Sequence, residues 1–223
     1  MRIGITALCV LVVAACDSGK VAEFARTANA QRAANAPAPT MPVPRGGAEL
    51  IGRSLANLRF EAWTGDEQPL AREHAATLVR WWTDGCPFCE QSLPALNELR
   101  VKYEGRALDV IAAYHNKSAV ELTQHEISNA AHERGYDGRI ALDRNWKALN
   151  VAWPAKLRSA TSVTLLLDAR GTIRFAHPGP EFHRSTDPAH AECAADYADL
   201  ERAIDFVLAE GAPSTAAPAP AER

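Results

Sequence analysis

The order of elements predicts an α/β sandwich, a sheet flanked by helices. Two observations carry the prediction. Apolar stretches with strand character alternate along the chain with stretches of helical spacing. A C-x-x-C pair, Cys86 and Cys89, stands at one such junction. Before it runs Ala76-Thr77-Leu78-Val79-Arg80-Trp81-Trp82, which reads as a buried strand; after it Leu93, Leu96, Leu99 and Val101 recur at helical spacing. A chain of 223 residues with 47% hydrophobic residues can bury one good core, or two small ones. Net charge is −3 and no basic run stands out, which argues against nucleic-acid binding.

The elements follow in order. Arg2 flanks an apolar run, Ile3 to Ala15, too short for the roughly 20 residues a membrane span needs. It fits the core of a secretory signal peptide, residues 1–15. Residues 16–48 are rich in Ala, Pro and Asn and read as a tether. A folded domain is expected over 49–210. Leu58 to Trp63 alternates like a strand, with a turn at Thr64-Gly65-Asp66. The strand at 76–82 leads to a helix from about Pro87 to Tyr103. Ala107 to Ala113 is the next strand. Ser118, with Glu121 three residues on, predicts a capped helix running to about Arg134. Arg139 to Leu142 is a short strand, and Asp143 to Leu149 a helical turn or two. Val163–Leu167 and Thr172–Phe175 form a hairpin. Asp187 or Pro188 opens the last helix, with Tyr197, Leu200, Ile204 and Leu208 on one face. Residues 211–223 read as a disordered tail.

Cys86 and Cys89 sit where backbone N–H groups and the helix dipole favour a thiolate. A C-x-x-C in a βα setting is the thioredoxin-like redox pattern. Trp82 lies four residues before Cys86, Pro94 five after Cys89, and Leu165-Leu166-Leu167-Asp168-Ala169-Arg170-Gly171-Thr172-Ile173 resembles an F-L-I-D-x-x-G-x-I hairpin. In these features residues 50–210 resemble the thioredoxin-like periplasmic redoxins of the TlpA/ResA/DipZ kind. The resemblance implies a thioredoxin-like fold with a central mixed sheet. It implies that Cys86 attacks and Cys89 resolves, and that Trp82, Pro87, Phe88, Ser162 and Val163 face the client protein. Val13-Ala14-Ala15-Cys16 resembles a bacterial lipobox, with Cys16 as the lipid-bearing first mature residue. An exported location permits disulfide cycling.

The chain departs from that pattern in four places. Gly85 stands where a tryptophan is frequent. Arg80 stands where thioredoxin has a buried acid, and an arginine cannot act as that base; Glu61 or a water is left to serve. The family's cis-proline is replaced by Ser162 or Val163, so a trans bond is expected there. The stretch from Trp153 to Thr161 is long and is expected to form a rim loop.

The expectation is a membrane-tethered, periplasm-facing thiol–disulfide oxidoreductase. Its partners are protein thiols or disulfides and a redox partner. It is expected to be monomeric, with no diffusible cofactor and no resident metal. An alternative stays open: a copper-binding module of the Sco kind, using Cys86 and Cys89 with a histidine such as His177. His183 reads as a loop residue. His190 and Cys193, three apart, read as surface and packing positions of the last helix.

Overall fold

The computed structural model describes residues 39–65 and 74–211. The signal segment, Cys16, most of the tether and the tail after Gly211 lie outside the described residues. The strands are β1 (Ala62–Trp63), β2 (Ala76–Trp82), β3 (Leu108–Tyr114), β4 (Arg139–Leu142), β5 (Thr164–Asp168) and β6 (Ile173–His177). The helices are α1 (Pro87–Lys102), α2 (Gln124–Glu133), α3 (Lys147–Ala152) and α4 (Ala191–Gly211). Sheet order is β1-β4-β3-β2-β5-β6. β2, β3 and β4 run parallel, while β5 pairs antiparallel with both β2 and β6. This is the α/β thioredoxin-like fold that the sequence predicts.

Strand β2 is buried at all seven positions because it has neighbours on both edges and cover on both faces. Its alternation divides the core. Leu78 and Trp82 face a layer made by Leu93, Leu96 and Leu99 of α1 with Tyr197, Leu200 and Ile204 of α4. Val79 and Trp81 face the opposite layer, with Leu149 and Ala152 of α3 and Leu50, Leu55 and Leu58. Two-residue periodicity puts Arg80 on the first face, beneath α1.

Several boundaries differ from the sequence reading. Of the strand expected at Leu58–Trp63, only Ala62–Trp63 forms. Leu58 closes a turn onto the Leu55 carbonyl, and both leucines enter the core from that turn. The second helix starts at Gln124, not Ser118. Thr123 and Glu126 form a reciprocal capping box that satisfies two orphan N–H groups. Ser118 instead accepts from the Val120 N–H in a local turn. Helix α3 starts late, at Lys147, and buried Asp143 accepts from the N–H groups of Ala148 and Leu149, both at 2.8 Å. The packed chain also begins before residue 49. Met41 lies against the core, Pro42 is buried, and Arg45 reaches Asp196 at 3.0 Å.

Candidate functional site

Gly85 makes the turn out of β2 at φ +67°, a left-handed conformation costly for other residues. Cys86 follows as the N-cap of α1, and Pro87 takes the first helical position, where its missing N–H costs nothing. The Cys89 N–H bonds the Cys86 carbonyl at 2.9 Å, which sets the two residues one turn apart. Both are free thiols; Cys86 is half-buried and Cys89 wholly buried. Phe88 is 43% exposed and gives the outer cysteine an apolar neighbour.

Ser162 stands opposite the pair. Its hydroxyl lies 3.5 Å from Cys89 Sγ and 3.9 Å from Cys86 Sγ. Among the described residues the cis peptide is Gly179–Pro180, so the bond before Ser162 is trans, as expected. The two thiols are pushed apart in acidity. Partial burial works against the Cys86 thiolate, but hydrogen bonds from the Cys89 side chain and N–H, the Ser162 hydroxyl and the Phe88 N–H bring its pKa below the ordinary value. Burial pushes Cys89 up, against the opposing pull of Arg80 and the Ser162 hydroxyl. The outer thiol is the more acidic.

Arg80 is wholly buried behind the pair. Its Nη1 donates to the Ser162 carbonyl at 2.8 Å and to Thr164 Oγ1 at 3.3 Å. Its Nη2 donates to Ser92 Oγ at 3.0 Å and to the Pro180 carbonyl. The guanidinium also lies 5.1 Å from the centre of the Phe182 ring. One side chain therefore ties β2 to α1, to the residue beside the sulfurs and to the loop after β6. Burial lowers its pKa, and the two cysteines and Glu181 offset that. The sequence marked Arg80 only as a departure; its signal was a charged residue inside an otherwise apolar strand.

Other expected positions are corrected. Trp82 is fully buried with its ring edge-on to Tyr114, 5.2 Å between centroids, so it cannot touch a client. Val163 is also fully buried, and its carbonyl is taken by the Trp81 N–H at 2.9 Å. Glu61 is no base for Cys89: it precedes the edge strand β1 and pairs with Arg144 at 2.8 Å. His177 is buried with Nδ1 accepting from the Gly179 N–H at 3.3 Å and Nε2 3.1 Å from Asp196 Oδ2. Nδ1 is thus taken by the backbone and Nε2 faces the Asp196 carboxylate, which weakens support for a copper site built on His177. The rim loop from Trp153 to Thr161 carries a short 3₁₀ turn, Ala155–Leu157. Its Thr161 hydroxyl lies 3.0 Å from Nε2 of His115, a buried histidine at the end of β3 that the sequence did not single out. Burial, with Lys117 and Arg158 nearby, lowers the His115 pKa to about 3.

The model of the family described as Redoxin matches residues 67–192, which include the pair, Arg80 and Ser162. The chain belongs to the Redoxin family. A curated relative, the thiol-disulfide oxidoreductase YkuV of Bacillus subtilis (strain 168), is 31% identical to this redoxin over 67 residues. That match takes in 30% of this chain and 45% of the relative, so less than half of YkuV is spanned. Two solved structures are similar in fold. One is a proposed protein disulfide isomerase from Bacteroides thetaiotaomicron, with TM-score 0.54 and 16% identity, over 72% of this chain and 91% of that one. The other is a thiol:disulfide interchange protein of the thioredoxin family from Chlorobium tepidum TLS, with TM-score 0.50 and 15% identity, over 67% and 92%.

Proposed function

We propose that this redoxin is a thiol–disulfide oxidoreductase acting on protein clients, with Cys86 as nucleophile and Cys89 as resolving thiol. The observation that carries the reading is the asymmetry of the pair: a half-exposed, acidified thiol at a helix start and a buried, less acidic thiol one turn behind it. In reduction, the Cys86 thiolate attacks a client disulfide. A Cys86–client bond forms, and the client's other sulfur leaves as a thiolate and takes a proton from water. Cys89 then loses its proton to solvent and attacks Cys86 Sγ. The Cys86–Cys89 disulfide forms and the second client thiol leaves, so two electrons pass from the pair to the client. Oxidation of a client dithiol is the same path in reverse. Ser162 hydrogen-bonds both sulfurs, and Pro87 and Phe88 supply the surface beside Cys86 that meets the client.

The lipobox-like Cys16 and the signal-like segment before it support a lipid-anchored, envelope-facing protein. No helix among the described residues is long and apolar enough to cross a membrane. The test is client trapping. Cys89→Ser should accumulate mixed disulfides through Cys86, and Cys86→Ser should accumulate none while losing turnover of a model disulfide. Equal trapping by both variants overturns the assignment of roles. Lipid labelling that persists in Cys16→Ala overturns the anchor.

A further inference from the structure

We propose that Glu181, His183, His190 and Cys193 form a four-coordinate zinc site, separate from the Cys86–Cys89 pair. One donor atom from each residue lies within 4.8 Å of all the others. Bonds of about 2.0–2.3 Å from nitrogen, oxygen and sulfur to a tetrahedral ion place donors roughly 3.4–3.8 Å apart. Small side-chain rotations close the difference. Two imidazoles, a thiolate and a carboxylate suit Zn2+; calcium and magnesium take all-oxygen shells.

His183 gives the independent sign. Its Nδ1 lies 3.1 Å from the Arg184 carbonyl, so Nδ1 carries the proton and donates. Its Nε2 is buried and has no hydrogen-bond partner. A ring held by one nitrogen on a carbonyl, with the other lone pair free, is the arrangement of a metal-bound histidine. A buried unpaired nitrogen is otherwise a cost to folding.

The backbone holds the donors in place. Glu181 and His183 sit on the loop after β6, and His190 and Cys193 on the turn that opens α4. The His183 N–H points to the Cys193 carbonyl at 3.4 Å. Asp187 caps the 3₁₀ turn Pro188–His190 through the Ala189 N–H at 2.9 Å. Arg184 is anchored by Glu98, by Glu201 and by the Tyr197 ring, its guanidinium 4.6 Å from the ring centre. The Cys193 thiol already lies 3.4 Å from Glu181 Oε1, and the His183 and His190 rings are 5.0 Å apart. Binding releases the thiol proton to solvent and forms the Zn–S bond. The bound ion joins the loop to α4, and Pro180, one residue before Glu181, is a carbonyl partner of Arg80. It also keeps the third thiol of the domain out of exchange with Cys86.

The test uses the full chain in mild detergent, tag-free, reduced and chelator-treated, carrying Cys86→Ser and Cys89→Ser so that the pair cannot bind. Titration of Zn2+ against a chromophoric chelator should give one tight site. Co2+ should give a thiolate charge-transfer band with the intense visible bands of four-coordination. Adding Cys193→Ser should abolish the charge-transfer band and weaken Zn2+ by at least about 100-fold, and adding His183→Gln should weaken it comparably. Circular dichroism checks the fold of each variant, and His190→Gln replaces any that fails. Absence of tight uptake overturns the site. So does uptake undiminished by these substitutions in folded protein.

Discussion

Replacing Arg80 with methionine tests whether the buried guanidinium organises the site around Cys86 and Cys89. Methionine refills most of the apolar volume beneath α1 and removes every hydrogen bond of the head group. The Ser162 carbonyl loses a charged donor in a buried setting, the Pro180 carbonyl loses one in a part-buried setting, and Thr164 Oγ1 loses a weaker one. Ser92 Oγ keeps its bond to the Phe88 carbonyl. A buried acceptor left unpaired costs about 1–3 kcal/mol, which applies in full to Ser162, whereas water can reach Pro180 and reduce its share. Relief of guanidinium desolvation offsets part of this, and the orphaned Ser162 carbonyl dominates because it cannot move to water. The expected net loss is about 2 kcal/mol, a fall in Tm of roughly 4–8 °C for a domain of this size.

The same substitution removes the positive charge that favours the Cys89 thiolate, so Cys89 should titrate higher still. The assays are urea denaturation of the reduced protein and pH-dependent alkylation of Cys89 in a Cys86→Ser background. Arg80→Lys separates the two effects. It keeps the charge, so Cys89 should stay closer to wild type, but one ammonium cannot reach all four acceptors and stability should still fall. Arg80→Met within about 0.5 kcal/mol of wild type, with an unchanged Cys89 profile, would refute the reasoning.

Three further outcomes follow from the same geometry. Ser162→Ala removes a hydrogen bond to both sulfurs, so both thiols should titrate higher and Cys86 alkylation at neutral pH should slow roughly threefold to tenfold; an unchanged profile means the hydroxyl does not serve the thiolates. Gly179→Ala should destabilise by about 2–4 kcal/mol, because φ is +81° and an added Cβ would sit 2.2 Å from the Ser162 carbonyl oxygen; an unchanged urea midpoint would show that the loop is not seated on Ser162. His115 is held neutral down to about pH 3, whereas the unfolded chain takes up that proton near 6.5. Between those values the unfolded state binds more protons, so stability rises with pH up to about 6.5 and is lost as pH falls, by up to about 1.4 kcal/mol per unit; His115→Phe should flatten that slope, and an unaltered slope assigns it elsewhere.

The fold was legible where local pattern and tertiary context agree. Arg139–Leu142 and the helix from Pro87 can be read to within a residue or two because an apolar run and a proline at a helix start each carry one meaning. The α2 start is ambiguous in the sequence because Ser118/Glu121 and Thr123/Glu126 offer the same capping pattern, and packing of Ile127 and Ala131 decides between them. At the site, the cysteines and Ser162 were visible by spacing. Trp82 is buried because β2 is covered on both faces, which sequence position alone does not show. Glu181 stayed unnoticed because it meets Cys193 only through the return of the chain after β6.

Arg80 and Ser162 are best understood as one unit. An acid beneath the resolving cysteine, as in thioredoxin, can take its proton but repels the thiolate left behind. Arginine does the opposite: it accepts no proton and favours the thiolate. It must also have its own charge solvated without water, and the Ser162 and Pro180 carbonyls supply part of that solvation. The Ser162 carbonyl can serve Arg80 only in the orientation that the chain holds there, and the hydroxyl of the same residue then meets both sulfurs. Two departures from the resemblance are therefore coupled through a single side chain. Ser162→Pro alone should disturb Cys89 more in the Arg80 protein than in Arg80→Met, since only the former has a guanidinium to leave unsolvated. A double-mutant cycle on the Cys89 alkylation profile measures that coupling, and strictly additive effects would separate the two positions.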